Sequence, residues 1–133
     1  MFALPLVQLS THARSGPPQW LSEFTATFSL VLAILGTLRA RPEAVPTAVA
    51  LVITAGYWFT ASTSFANPAV TLARTLFDTF SGIAPADAPA FIAAQLAGAL
   101  AALGVCHRVF GWLPPTLDAA AADASGLLGD AGP

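Results

Sequence analysis

The chain has 133 residues, of which 56% are hydrophobic and only 9% are charged, whereas a soluble domain carries about 25% charged residues. This composition favours a protein embedded in the lipid bilayer. Five arginines and no lysine stand against seven acidic residues, and the formal net charge of -2 provides no basic surface for nucleic acid. The single cysteine, Cys106, has no partner for an internal disulfide, and we expect it to be a buried apolar side chain.

The N-terminal residues 1–19 are predicted to comprise the stub of a preceding span and an external loop. The stub, MFALPLVQL, is too short to cross a bilayer, and it lacks the basic start and the small-residue cleavage site of a signal peptide. A polar connection, STHARSGPPQ, follows it. Residues 20–38 form the first predicted span, because about 20 apolar residues in a helix cross the hydrocarbon layer.

Two more spans are predicted further along the chain, over residues 45–61 and residues 89–113. The charged turn RARPEAVP separates the first two spans, and Trp112 is expected to be an interfacial anchor of the third. Residues 114–133 are rich in Ala, Gly and Asp and are predicted to be a flexible tail.

Small residues recur at every fourth position of the third span, a spacing that lets helices approach closely in lipid. They are Ala94, Gly98 and Ala102. We therefore expect this face of the span to pack against another helix.

The arginines indicate how the spans are oriented. Arg39, Arg41 and Arg108 fall on one side of the predicted topology and Arg14 on the other, so the side with three arginines is expected to be cytoplasmic. We predict a multi-pass protein of the cell (inner) membrane.

Residues 67–80, between the second and third spans, form a segment that is too short to cross the membrane. The stretch SFANPAVT, residues 64–71, contains the start of this segment. The segment is predicted to re-enter as a half-helix beside a lined cavity, since irregular backbone is tolerated at membrane depth only where protein or water satisfies it. Asn67 is the predicted N-cap, accepting from the N–H of Ala69 or Val70, and Pro68 begins the helix. The Asn67 amide then keeps donors for a passing oxygen, and the positive helix end disfavours cations, which suits a neutral permeant.

These motifs carry a resemblance to a known family. The segment ANPAVTLAR after a loop rich in Ser and Thr, together with SEFTATFSLVL in the first span, resembles the major intrinsic proteins, the aquaporins and glycerol facilitators. The longer stretch TAGYWFTASTSFANPAVTLARTLFDTFSGIAP is similar to the second half of a bacterial branch of that family. The resemblance extends over residues 10–113.

The resemblance implies a bundle of six tilted helices and two half-helices, built from two inverted repeats and commonly assembled as tetramers. The predicted fold class is therefore an all-α membrane protein, in which residues 20–113 form an aquaporin-like second repeat with three transmembrane helices and one re-entrant half-helix. Asn67, Pro68 and Ala69 match the second Asn-Pro-Ala signature, and Asn67 would donate to water or glycerol.

Glu23 matches the buried glutamate that accepts hydrogen bonds from the re-entrant loop in this family. Independently of the resemblance, an acid within a span is expected to be paired inside the bundle. A structural role in holding the loop is favoured over a role as a proton relay.

The sequence departs from the family at the outer filter, where Val70 stands in place of the usual arginine. Arg74 lies one helical turn further along, on the same face of the half-helix. Two interpretations stay open: Arg74 reaches the outer mouth of the pore, or it pairs with Asp78 at the i+4 position and is held away.

Further filter candidates lie before the half-helix. Tyr57 is the nearest candidate for the filter position in the second span, with Gly56 as the alternative, and Ser64 is a candidate pore-lining residue. With the arginine displaced, the resemblance favours a wider pore for water, glycerol-like polyols or neutral metalloid hydroxides.

Three spans and one half-helix supply half of the pore wall that the resemblance implies. We therefore expect a half-length form that works as an oligomer or with a complementing first-half chain in the bilayer. Two identical copies would have to insert in opposite orientations. The alternative is a non-conducting truncated fragment, or an assembly partner of a full-length channel.

Other functional classes find less support in the sequence. Four residues with catalytic potential are expected at loops, span ends or the interface, so we predict neither enzymatic activity nor a cofactor or metal. They are His12, Asp78, Asp87 and His107. A secondary transporter would need a second discontinuous helix and usually an ion site within the membrane.

Overall fold

The computed structural model describes residues 7–111, and these residues form helices and connecting loops with no β-strand among them. The predicted all-α class is therefore confirmed for this part of the chain. The helices are α1 (Pro17–Ala40), α2 (Val45–Phe59), α3 (Pro68–Arg74) and α4 (Ala88–Phe110), and a short 3-10 turn, Pro42–Ala44, precedes α2. The predictions for the start of the stub, for Trp112 and for the tail at residues 114–133 lie outside the described residues.

Two of the described helices are long and apolar enough to cross a membrane. They are Pro17–Ala40, with a mean hydropathy of 1.6, and Ala88–Val109, with a mean hydropathy of 1.8. They contain or overlap the first and third predicted spans. The second predicted span corresponds to α2, which has 15 residues, fewer than the roughly 20 that usually cross a bilayer.

Helices α1 and α4 pack closely because α4 has a glycine at the crossing. A Cβ atom at Gly98 would collide with the carbonyl oxygen of Phe24 and would lie 3.1 Å from the backbone nitrogen of Phe28. Ala102, one turn further along α4, is fully buried. The expected packing through small residues is therefore present, and it brings the backbones of the two helices together.

Helix α3 ends earlier than the predicted half-helix at residues 67–80. The N–H groups of Thr75 and Leu76 turn back to carbonyls three residues earlier, at 3.1 Å each. The carbonyls of the same two residues accept hydrogen bonds from the N–H groups of Ser10 (2.9 Å) and Gln8 (3.0 Å). These carbonyls are engaged by another segment of the chain, so α3 stops at Arg74 and does not extend to Phe80.

The apolar core of the described residues lies where the loop before α3 meets the start of α4. Phe65, Ile83 and Phe91 form a buried cluster, and Val70 packs against it from α3. The rings of Phe65 and Phe91 meet edge to face with their centroids 5.4 Å apart. Cys106 is buried on α4, as the composition predicts.

We expect Gly98→Ala to lower the apparent Tm of the detergent-solubilised chain, because the added Cβ would overlap backbone atoms that cannot rotate away. Overpacking of this kind costs about 1–3 kcal/mol. Gly104→Ala is the matched control, since nothing lies within 4 Å of a Cβ there and alanine gains about 1 kcal/mol in helix propensity. A Gly98 variant as stable as the Gly104 variant would contradict the close crossing of α1 and α4.

Candidate functional site

The loop between α2 and α3 carries three residues in the left-handed backbone region. Thr63, Ser64 and Ala66 have φ angles of 63°, 50° and 48°. For residues with a Cβ this conformation costs about 1–2 kcal/mol each. A loop of this kind persists only where its surroundings determine it.

Glu23 of α1 makes many of the contacts that hold the loop in this conformation. Its side chain is fully buried, and its Oε1 accepts from the hydroxyl of Ser62 at 2.5 Å and from the N–H of Phe65 at 2.9 Å. Its Oε2 accepts from the N–H of Ala66 at 3.0 Å. The carboxylate therefore fixes the loop through two consecutive backbone amides. It acts as an acceptor only, because every described group that forms a hydrogen bond with it is a donor.

Gln95 of α4 extends this network to α3. Its Nε2 donates to Oε2 of Glu23 at 2.6 Å and to Oγ1 of Thr71 at 2.9 Å. The Thr71 hydroxyl donates in turn to the carbonyl of Asn67 at 3.0 Å. Glu23, Gln95 and Thr71 are all buried, so α1, the loop, α3 and α4 are joined by one continuous chain of buried polar contacts.

Asn67 caps α3 with its side-chain oxygen, as the sequence predicts. Its Oδ1 accepts from the N–H of Ala69 at 2.8 Å and from the N–H of Val70 at 3.4 Å, and Pro68 occupies the first helical position. The side chain of Asn67 is exposed. Because the cap uses only the oxygen, the Nδ2 group keeps its donors for a ligand.

Arg14 is buried beneath the loops on either side of α3, at 4% exposure. Its guanidinium donates to the carbonyls of Gly82 at 2.7 Å, Phe80 at 2.8 Å and Ser62 at 3.2 Å. Burial lowers the pKa of this guanidinium, as does the positive charge of Arg74, whereas the carboxylate of Glu23 raises it. Its three carbonyl acceptors complement the charge.

Arg74, the last residue of α3, contacts two aromatic side chains. Its Nη2 donates to the hydroxyl of Tyr57 at 2.9 Å, and its guanidinium lies 4.2 Å from the ring centroid of Phe65. Its Nη1 is buried without a hydrogen-bond partner among the described residues.

The interpretation that pairs Arg74 with Asp78 is wrong. Asp78 accepts hydrogen bonds from the N–H and the hydroxyl of Thr11, at 3.0 and 3.2 Å. The pairing requires helical i+4 spacing, and α3 ends at Arg74.

Two other candidates, Ser64 and Val70, lie against the protein interior. Ser64 is buried, and a Cβ added to Gly56 would lie 2.6 Å from the Cβ of Ser64. The loop therefore packs onto α2 only because position 56 is a glycine. Val70 is half-buried against the apolar core. Ala69 is exposed next to Asn67.

No site role was predicted from the sequence for Gln95 or Arg14. Gln95 carries a usable signal, because it is a polar residue within an apolar span, where such side chains usually bond to a neighbouring helix. Arg14 carries none, because a single arginine in a connection rich in Gly and Pro is compatible with an exposed loop. Only the folded chain brings it under Ser62 and Gly82.

Glu23→Gln is expected to destabilise the chain and to loosen the loop. The new NH2 group would face donors, and each buried donor left unpaired costs about 1–3 kcal/mol. We expect a lower apparent Tm and faster hydrogen exchange at the amides of Phe65 and Ala66. Glu43→Gln makes the same chemical change at an exposed position before α2 and serves as the control. Unchanged protection of both amides would contradict the role assigned to the carboxylate.

Comparison with known proteins places the chain in a family. A family model described as Major intrinsic protein matches residues 12–127. Among curated proteins, the chain is 58% identical over 105 residues to a protein named aquaglyceroporin AqpS from Rhizobium meliloti (strain 1021). That match covers 79% of this chain and 45% of the relative, so the chain spans about half the length of the curated relative that it matches. No solved structure matches the chain.

The matched residues include α1 with Glu23, the loop and α3 with Asn67, and α4 with Gln95. The resemblance that rests on ANPAVTLAR is thereby confirmed over most of the chain. The chain belongs to the major intrinsic protein family.

Proposed function

We propose that the chain forms part of the wall of a passive transmembrane channel for water and small uncharged solutes. Members of its family are channels rather than enzymes. The observation that carries the proposal is the loop before α3, which ends at an exposed amide, that of Asn67. Two backbone N–H groups of this loop, those of Phe65 and Ala66, donate to the carboxylate of Glu23.

The carbonyl groups of the same loop support this function. Among the described residues, no donor reaches the carbonyl oxygens of Thr63, Ser64, Phe65 or Ala66. Free carbonyls within a membrane protein require water or a lined cavity. Free carbonyl acceptors in a loop that ends at an amide donor suit small molecules that carry both hydroxyl hydrogens and oxygens, and they provide no full charge to bind an ion.

In this mechanism, Nδ2 of Asn67 donates to the oxygen of the permeant while Oδ1 caps α3. The capping bonds orient the amide, so the donors are fixed before a solute arrives. The loop carbonyls accept hydrogen bonds from the hydroxyl groups of the permeant. These bonds replace the ones that the solute makes with water, and no charged group is needed. Passage then depends on size and hydrogen bonding.

A wider pore is proposed at the outer mouth, consistent with glycerol-like polyols or neutral metalloid hydroxides as permeants. Val70 replaces the arginine typical of the family, and it packs on the core. Arg74 donates to Tyr57 and keeps one buried Nη1 without a partner. The relative from Rhizobium meliloti is named an aquaglyceroporin, which agrees with polyols as a substrate class.

The proposed arrangement is a multi-pass protein of the inner membrane in which α1, α2 and α4 span the bilayer and α3 re-enters it. Many large apolar side chains on the described helices are exposed, including Leu21, Leu51 and Leu100. These side chains are suited to contact with lipid, with neighbouring copies in an oligomer, or with the other repeat of a channel. Both ends of the described segment on the same side of the membrane would contradict this topology.

A second candidate function is a non-conducting assembly partner of a full-length channel. It is favoured by the length of the match, because the chain corresponds to 45% of its relative. The one Asn-Pro-Ala triplet of the chain is one of the two that the family uses. Co-purification with a longer channel, and no permeability of its own, would support this candidate.

Asn67→Asp is expected to abolish water and glycerol permeability in proteoliposomes, measured by stopped-flow light scattering. Aspartate still caps α3, but it removes the amide donors and adds a negative charge. Gly104→Ala is the control for reconstitution, since its Cβ meets nothing within 4 Å. The chain is tested alone and with a first-half chain of the same family. Equal permeability with Asn and Asp would contradict the role of Asn67, and no permeability in either preparation would favour the second candidate function.

A further inference from the structure

A segment at the N-terminus of the described chain, residues 8–14, forms a strap across the loop that follows α3. Three backbone hydrogen bonds join the two segments: Gln8 N–H to Leu76 at 3.0 Å, Ser10 N–H to Thr75 at 2.9 Å, and Ala84 N–H to His12 at 2.8 Å. The strap is thus paired with the loop at residues 75–87 both where the loop begins and near its end.

Side chains reinforce this pairing. Asp78 accepts from Thr11, and Asp87 accepts from the N–H of Arg14 at 2.8 Å. Gly82 has no room for a side chain, because an added Cβ would collide with the hydroxyl of Ser10 and would lie 2.6 Å from the carbonyl of Phe77. The strap is therefore a packed element.

Arg14, at the end of the strap, joins the two loops that flank α3. One of its carbonyl acceptors, Ser62, precedes the helix, and the other two, Phe80 and Gly82, follow it. The three bonds use different nitrogens of the planar guanidinium, so their directions are fixed relative to one another. A lysine ammonium has the same charge but lacks this planar fork.

The ring of Phe65 connects Arg14 with Arg74. The two guanidinium carbons lie 5.4 Å and 4.2 Å from its centroid, within the range of cation–π contacts. The backbone N–H of the same phenylalanine is held by Glu23. Arg74 therefore rests on a ring whose own position is set by the buried carboxylate and contacted by the buried arginine of the strap.

We propose that Arg14 is a positioning residue for solute selection: by clamping the loops on both sides of α3 and contacting Phe65, it sets the place of the Arg74 guanidinium beside Tyr57. This inference rests on the proposed channel function, in which Arg74 and Tyr57 border the outer mouth. Arg14 itself touches backbone and the Phe65 ring and has no role as a ligand of the solute.

The sole tyrosine of the chain makes the inference testable without any measurement of transport. With tyrosine labelled by 13C at Cζ, the full chain in lipid nanodiscs yields one NMR signal, from Tyr57, whose hydroxyl accepts from Arg74. Arg74→Gln calibrates the signal by removing the guanidinium, and it is expected to shift the line. Arg41→Gln, at an exposed arginine before α2, is expected to leave the line in place.

Arg14→Lys and Arg14→Gln are the deciding variants. We expect Arg14→Lys to move the Tyr57 line toward that of Arg74→Gln or to split it, because the ammonium cannot hold three carbonyls in the fixed directions. Arg14→Gln should do so more strongly, and if that variant does not fold, the lysine variant decides. A folded Arg14→Lys chain with an unshifted single line would overturn the proposal, and so would an Arg74→Gln chain whose line does not move.

Transport provides a second readout that a general loss of structure would not produce. In liposomes that conduct water, Arg14→Lys is expected to raise the ratio of glycerol to water permeability, because a loosened Arg74 narrows the mouth less. Unfolding would lower both permeabilities together and leave no such rise. If the unsubstituted chain conducts neither solute, alone or with a first-half chain of the family, the proposed function fails, while the Tyr57 signal still decides whether Arg14 positions Arg74.

Discussion

The buried carboxylate of Glu23 is the interaction on which the rest of this structure depends. A charged group inside a helical membrane bundle is expensive unless donors surround it. Here the donors include two consecutive N–H groups of a loop with three left-handed residues. Neither partner is stable without the other: the carboxylate would lose its donors, and the loop would lose the contacts that hold its unfavourable backbone. This mutual dependence explains why α1 carries an acid within an otherwise apolar stretch.

The loop before α3 is held from two directions by groups of opposite charge. Glu23 binds its N–H groups, and Arg14 binds the carbonyl of Ser62. Gln95 completes the inner side by linking the carboxylate to Thr71 of α3. Because the loop before it and Thr71 at its centre are restrained in this way, α3 is oriented although it has only seven residues, too few for a helix that is stable by itself.

Local rules predicted the features that depend on neighbouring residues. The capping of α3 by Asn67 and the start of the helix at Pro68 follow from residue types at adjacent positions. The close packing at Gly98 follows from a periodic pattern along one helix. The end of α3 did not follow from local rules, since the strap takes the carbonyls of Thr75 and Leu76. This early end also excludes the interpretation, one of two left open by the sequence, that pairs Arg74 with Asp78.

The sequence by itself determined the all-α class, the family, the capping of α3 by Asn67 and the presence of an acid that needs partners. These properties depend on composition, on motifs and on residues a few positions apart. Only the tertiary structure decided which groups satisfy Glu23, where Arg14 is buried and which side chains Arg74 contacts. The physical reason is distance along the chain: Glu23 and Gln95 are 72 residues apart, and Arg14 and Gly82 are 68 apart. Such pairs are set by the packing of whole helices and loops, which no local pattern encodes.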